Sequence, residues 1–124
     1  MSLILIVSII CMFSALALYT IGVWSERLAG KLSLRHLLFF WAGFIFDTTG
    51  TTLMTRMAGK MIMDFHGITG ALAIIFMLGH AIWASVVLML KQEKVLVNFH
   101  KFSLVVWVLW LIPFVSGLLG AMLK

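Results

Sequence analysis

The stretch Phe65-His66-Gly67-Ile68-Thr69-Gly70-Ala71-Leu72-Ala73-Ile74-Ile75-Phe76-Met77-Leu78-Gly79-His80-Ala81-Ile82-Trp83-Ala84-Ser85-Val86-Val87-Leu88-Met89-Leu90 contains no Asp, Glu, Lys or Arg. It exceeds the about 20 mostly apolar residues that a helix needs to cross a bilayer. Three more apolar runs flank it. They are Leu3 to Trp24, Leu34 to Thr55 with one charge at Asp47, and Val95 to Leu123 with a kink expected at Pro113. The first run has no basic residue ahead of it and is long for a signal sequence, so it is expected to stay as a span. The expected spans are 3–24, 34–55, 65–90 and 95–123, in one transmembrane domain over residues 1–124. Hydrocarbon offers no water to backbone polar groups, so the spans must be helices. Short connections make successive helices antiparallel neighbours. The fold class is all-α, an integral membrane four-helix transmembrane bundle.

Composition agrees. Of 124 residues, 64% are hydrophobic and 10% charged, and the mean hydropathy is +1.19. Soluble domains run about 45–50% apolar and about 25% charged. A soluble globular domain, a disordered chain and a disulfide scaffold are excluded. The lone Cys11 closes no internal disulfide. The net charge of +5 is spread singly over the connections, which gives no nucleic-acid footprint. It bears on orientation instead. Arg27, Lys31, Arg35, Lys91, Lys94 and Lys101 flank the first and third connections, against Arg56, Lys60 and Lys124 on the other side. The positive-inside bias puts those two connections in the cytoplasm and both termini outside.

The chemistry-bearing residues are the four histidines, His36, His66, His80 and His100. Ionisable groups inside spans are costly and commonly functional, and neutral imidazole is a common metal ligand. His66 and His80 are fourteen positions apart on one helix. Fourteen steps of about 100° end within about 40° of four full turns, so both rings share a face, about 21 Å apart. Membrane b-type cytochromes use one helix in this way, with a histidine toward each side of the bilayer. Gly70, Ala73, Met77 and Ala84 lie on the same face. These small residues leave room for a flat ring, and they equally suit close helix packing. His36 and His100 enter from the proposed cytoplasmic side, beside Arg35 and Lys101, which are candidate partners for haem propionates. His66 has no histidine at its own depth, so either Met54 or Met57 is its candidate partner or that site is empty. His80, the deepest, is expected to matter most, with His36 and His100 next.

Asp47 shares a helical face with His36, Phe40, Gly43, Gly50 and Met54. An isolated charge in mid-membrane is expensive, so that face must meet the interior. Counting from the helix ends places Asp47 near the depth of His80. An Asp47–His80 hydrogen bond, with the carboxylate orienting a haem ligand, is expected. The competing roles for Asp47 are a proton or ion path with the neighbouring threonines, or a bundle-stabilising polar contact. Trp107 and Trp110 are candidates to wall a porphyrin or simply to pack.

The segments Phe46-Asp47-Thr48-Thr49-Gly50-Thr51, His66-Gly67-Ile68-Thr69-Gly70 and Met77-Leu78-Gly79-His80-Ala81-Ile82-Trp83-Ala84 resemble the bacterial haem-sensing membrane protein family (HsmA-like). The resemblance covers essentially the whole chain. It implies a small bacterial inner-membrane protein that captures haem in the bilayer and lessens haem and oxidative stress. It does not say which histidines hold the iron.

Three functions compete. The first is haem capture. The second is a b-type cytochrome passing electrons as a quinone or ferric reductase does, with a quinone or reductase partner. The third is a small proton or ion transporter using Asp47, which at this length implies a homo-oligomer. The expected cofactor is haem b, one or two per chain. Covalent c-type attachment is excluded because no Cys-x-x-Cys-His occurs. No nucleophile–base set is visible, so no enzyme class is assigned. Any catalysis would be that of a membrane haem oxidoreductase.

Overall fold

The computed structural model describes residues 3–58 and 65–122, with side chains for 3–56 and 68–119. Its helices are α1 (Leu3–Ala29), α2 (Leu34–Ala58), α3 (Phe65–Leu90) and α4 (Glu93–Met122). All four are long and apolar enough to span a membrane. Each packs on its neighbour in sequence, and α1 meets α4 to close the ring. α4 continues through Pro113 as a single helix.

Three boundaries differ from the sequence expectation: α2 runs three residues past Thr55 to Ala58, and the other two differ for local reasons. α1 runs five residues past Trp24. Ser8, Cys11, Ala15, Tyr19, Gly22 and Glu26 recur at steps of three and four and are all buried, so Glu26 extends the inward stripe rather than opening a loop. Gly30 stops the helix, with φ at 87° and its N–H on the Glu26 carbonyl at 3.1 Å. That is a left-handed C-cap. α4 starts two residues before Val95. The Gln92 carbonyl takes the N–H groups of Val95 and Leu96 at 3.1 and 3.0 Å, and Glu93 sits in the first turn, where the helix dipole favours an acid. The two connections at this end are tied together. Leu32 N–H donates to the Leu96 carbonyl at 3.0 Å, and Lys31 Nζ lies 3.7 Å from Glu93 Oε1.

The burial pattern is inverted relative to a water-soluble protein. Glu26, His36, Asp47, His80 and Ser103 are inside, while Leu3, Leu28, Leu38, Ile45, Ile75 and Met89 are outside. Only a hydrocarbon solvent makes that arrangement favourable. The interior has two apolar clusters. One, at the end of the first and third connections, gathers Val23, Leu32, Phe40, Ala84, Val87, Leu96 and Phe99. The other gathers Ala15, Tyr19, Ala73, Met77, Val106 and Trp110. α1 and α2 approach closely at Gly43, where an added Cβ would sit 2.6 Å from the Tyr19 ring. That contact seats Tyr19 beside α2. The small-residue face of α3 is therefore used for packing: Ala73, Met77 and Ala84 all lie in the two clusters.

Candidate functional site

Three helices deliver polar side chains to one buried point. Glu26 in the last turns of α1 and Ser103 on α4 are 0% exposed, and His80 on α3 is 1% exposed. Ser103 Oγ donates to Glu26 Oε1 at 2.8 Å. His80 Nε2 lies 2.8 Å from the same Oγ. A serine hydroxyl has one hydrogen. With that hydrogen given to Glu26, the second bond must take its hydrogen from His80 Nε2. His80 Nδ1 is then a bare lone pair, and it is buried without a partner, as is Glu26 Oε2. Phe40, Phe99 and Phe102 surround the imidazole at centroid distances of 4.4, 5.3 and 5.7 Å. The ring is held by one edge, with its other nitrogen free to bond.

His36 occupies the third helical position of α2. Ser33 caps that helix through its carbonyl, which accepts from His36 N–H at 3.1 Å. In return Ser33 N–H donates to His36 Nδ1 at 3.0 Å, the part that Glu or Gln plays in a capping box. The Ser33 hydroxyl is also 3.1 Å from Nδ1. His36 Nε2 is buried without a partner. His100 is half-buried, with Nδ1 3.0 Å from the Val97 carbonyl of its own helix. Arg35 and Lys101 are exposed. Arg35 lines a shallow groove of about 290 Å³ with Leu18, Leu38, Phe39 and Ala42. His66 is the second residue of α3, but its side chain and that of Met57 lie outside the described residues.

Asp47 is buried in a separate polar contact. Its Oδ2 accepts from Tyr19 Oη at 3.0 Å and from Trp110 Nε1 at 2.9 Å. The expected Asp47–His80 hydrogen bond is not formed, because His80 Nε2 is taken by Ser103 and Nδ1 has no partner. The α2 residue packed on His80 is Phe40. It is two turns from Asp47, or about 10 Å along the helix. The carboxylate behind His80 is Glu26. Among the described residues no hydrogen bond or ring contact joins His80 to His36 or His100. Trp107 packs on Trp24 at 5.7 Å and donates to Thr20 at 3.1 Å. The sequence reading missed Glu26 and Ser103. The available signal was the Tyr19–Glu26 spacing of seven, which continues the buried stripe of α1.

Among the described residues no three His, Cys, Asp or Glu side chains converge as a cage for a bare metal ion. An iron porphyrin asks less of a protein. It carries four nitrogens of its own and needs one or two axial donors. A buried imidazole with a bare nitrogen and its opposite N–H anchored meets that requirement. The donor chemistry at His80 fits haem. The space does not: His80 is 1% exposed, and Phe40, Phe99 and Phe102 close around the ring and leave no room for a macrocycle at Nδ1.

Fold and site together define a multi-pass, all-helical membrane protein with a buried histidine on a carboxylate relay. Comparison with known protein families, characterised proteins and solved structures finds no match for this chain.

Proposed function

We propose that this chain captures haem b within the bacterial inner membrane and so lessens haem and oxidative stress. The observation that carries the reading is His80: its Nε2 is 2.8 Å from Ser103 Oγ and its Nδ1 is buried without a partner. Metal-bound histidines characteristically donate their other N–H in this way. His36 is unlike His80: its Nδ1 accepts from Ser33 N–H, so the neutral ring carries its hydrogen on the unpartnered Nε2 and offers no bare nitrogen there. Bound haem would supply an iron centre that takes a neutral imidazole nitrogen, once the packing around His80 opened to admit it. Around it the chain's own residues act plainly. Ser103 and Glu26 orient His80, Phe40, Phe99 and Phe102 exclude water, and Arg35 and Lys101 offer cations to propionates at the interface.

The test is direct. Protein purified from haem-replete cells is expected to be coloured, with a Soret band, and the apo form to take up added hemin. A colourless preparation that also refuses hemin would overturn the proposal.

The orientation that suits this role has the first and third connections in the cytoplasm, with both termini outside. Its support is the basic residues at the end where Lys31 meets Glu93. A Gln92→Cys variant tests it, since the native Cys11 is buried. We expect no labelling of intact cells by an impermeant thiol reagent and strong labelling after lysis. Labelling of intact cells would reverse the topology.

A further inference from the structure

The end of the bundle formed by the first and third connections is basic. Arg27, Lys31, Arg35, Lys91, Lys94 and Lys101 are all exposed. Two acids stand against them at this end. Glu26 is buried, and Glu93 is held by Lys31 at 3.7 Å. Among the described residues Arg35 therefore has no acidic partner. Arg35 is the second residue of α2. Its charge adds to the positive end of that helix's dipole, beside first-turn N–H groups that have no helical acceptor. Arg35 also lines the groove of about 290 Å³ described above, whose other walls are apolar: Leu18 on α1, and Leu38, Phe39 and Ala42 on α2. Arg35 comes first along α2 and Ala42 last, seven positions or about 10 Å apart. The groove thus has a cation at the helix end and a hydrocarbon lining along the span.

We propose that this groove between α1 and α2 binds an anionic phospholipid, its phosphate on the Arg35 guanidinium and the upper part of one acyl chain along Leu18, Leu38, Phe39 and Ala42. The proposal goes beyond the haem reading and does not rest on it. Charge complementarity selects the occupant. A planar guanidinium offers paired N–H donors that match phosphate oxygens, and basic pockets between transmembrane helices take acidic lipid head groups. A zwitterionic lipid brings a choline or amine that opposes the surrounding cations. A second copy of this chain packed symmetrically on the same groove would set Arg35 against Arg35, which like charge opposes. The apolar walls suit an acyl chain, and the small Ala42 side chain keeps that end of the groove open.

The experiment titrates the full chain, in mild detergent, with phosphatidylglycerol and with phosphatidylcholine, and counts bound lipid by native mass spectrometry. The chains compared are wild type, Arg35→Gln, Arg35→Lys, Ala42→Leu and the double variant Lys91→Gln/Lys94→Gln. Wild type is expected to bind one phosphatidylglycerol about fivefold or more tighter than phosphatidylcholine, the effect of one interfacial cation. Arg35→Gln should bring that ratio near one, and Arg35→Lys should keep part of it. Ala42→Leu changes no charge but fills the groove, so it should weaken phosphatidylglycerol binding about as much as Arg35→Gln does. The double variant removes twice the charge from the same end, outside the groove, and should change the ratio less than about twofold. Equal binding of the two lipids by wild type would overturn the proposal. So would a double variant that loses as much selectivity as Arg35→Gln, since the diffuse charge of the end would then be the cause. An Ala42→Leu chain that binds as wild type does would take the acyl chain out of the groove. A dimer in place of bound lipid would give the groove to a second copy. Arg35 is exposed, so its variants should fold, and circular dichroism checks that they do.

Discussion

His80→Ala is expected to weaken hemin binding by at least about a hundredfold, since groups behind a metal ligand already account for about 10–100-fold. The measurement is a hemin titration of the protein in lipid nanodiscs, followed at the Soret band. Removing the ring also opens a cavity among Phe40, Phe99 and Phe102 and takes away the donor that faces Ser103. Large-to-small core changes of this kind cost about 2–5 kcal/mol. Loss of fold would also abolish binding, and free imidazole separates the two. It fits the vacated space and supplies the same nitrogen, so millimolar imidazole should restore a haem spectrum to His80→Ala. His66→Ala should have the smaller effect. Full haem content with an unchanged spectrum in His80→Ala would end the assignment. If His36→Ala and His100→Ala lost haem in its place, the iron would belong between α2 and α4 near the connections.

Asp47→Leu is expected to cost about 2–4 kcal/mol of stability, without a specific effect on the His80 site. Asp47 Oδ2 is the hydrogen-bond acceptor for both Tyr19 Oη and Trp110 Nε1. Leucine leaves two donors unpaired in a packed apolar interior, at about 1–3 kcal/mol each, and a loosened bundle recovers part of that through other partners. Asp47→Asn keeps an acceptor oxygen and should lose about 1 kcal/mol. Unfolding by a graded detergent titration, followed by circular dichroism, provides the comparison. If Asp47→Leu unfolded within about 0.5 kcal/mol of wild type, Asp47 would not be the structural polar contact described here. The haem midpoint should not move in Asp47→Asn, because Phe40 and not Asp47 meets His80. A carboxylate counted to the depth of His80 by sequence alone would have moved it.

The contrast between Asp47 and Glu26 shows how far a sequence carries in a membrane protein. Four apolar runs determine four spanning helices, because every backbone group in hydrocarbon must bond within its own segment. The structure has those helices, and α3 has the residues expected, Phe65–Leu90. Periodicity also determines which residues look inward. The face of α2 that carries Asp47 and His36 is buried, and so is the face of α3 that carries Met77 and His80.

Partners were decided only by the tertiary structure. Glu26 and Ser103 are separated by 77 positions, and Trp110 and Asp47 by 63. Nothing local links such pairs. Which carboxylate stands behind His80 depends on the tilt and axial offset of four helices, and a shift of two turns, about 10 Å, exchanges one acid for another. Glu26 was hidden for a second reason. A charged residue at the end of an apolar run has the appearance of a loop, and Gly30 rather than Trp24 ends α1. The sequence by itself determined a four-helix membrane bundle and the inward faces that carry His36, His80 and Asp47. Only the packed structure decided that His80 stands on Ser103 and Glu26 while Asp47 holds Tyr19 and Trp110, because hydrogen bonds within a bundle are set by where the helices lie against one another.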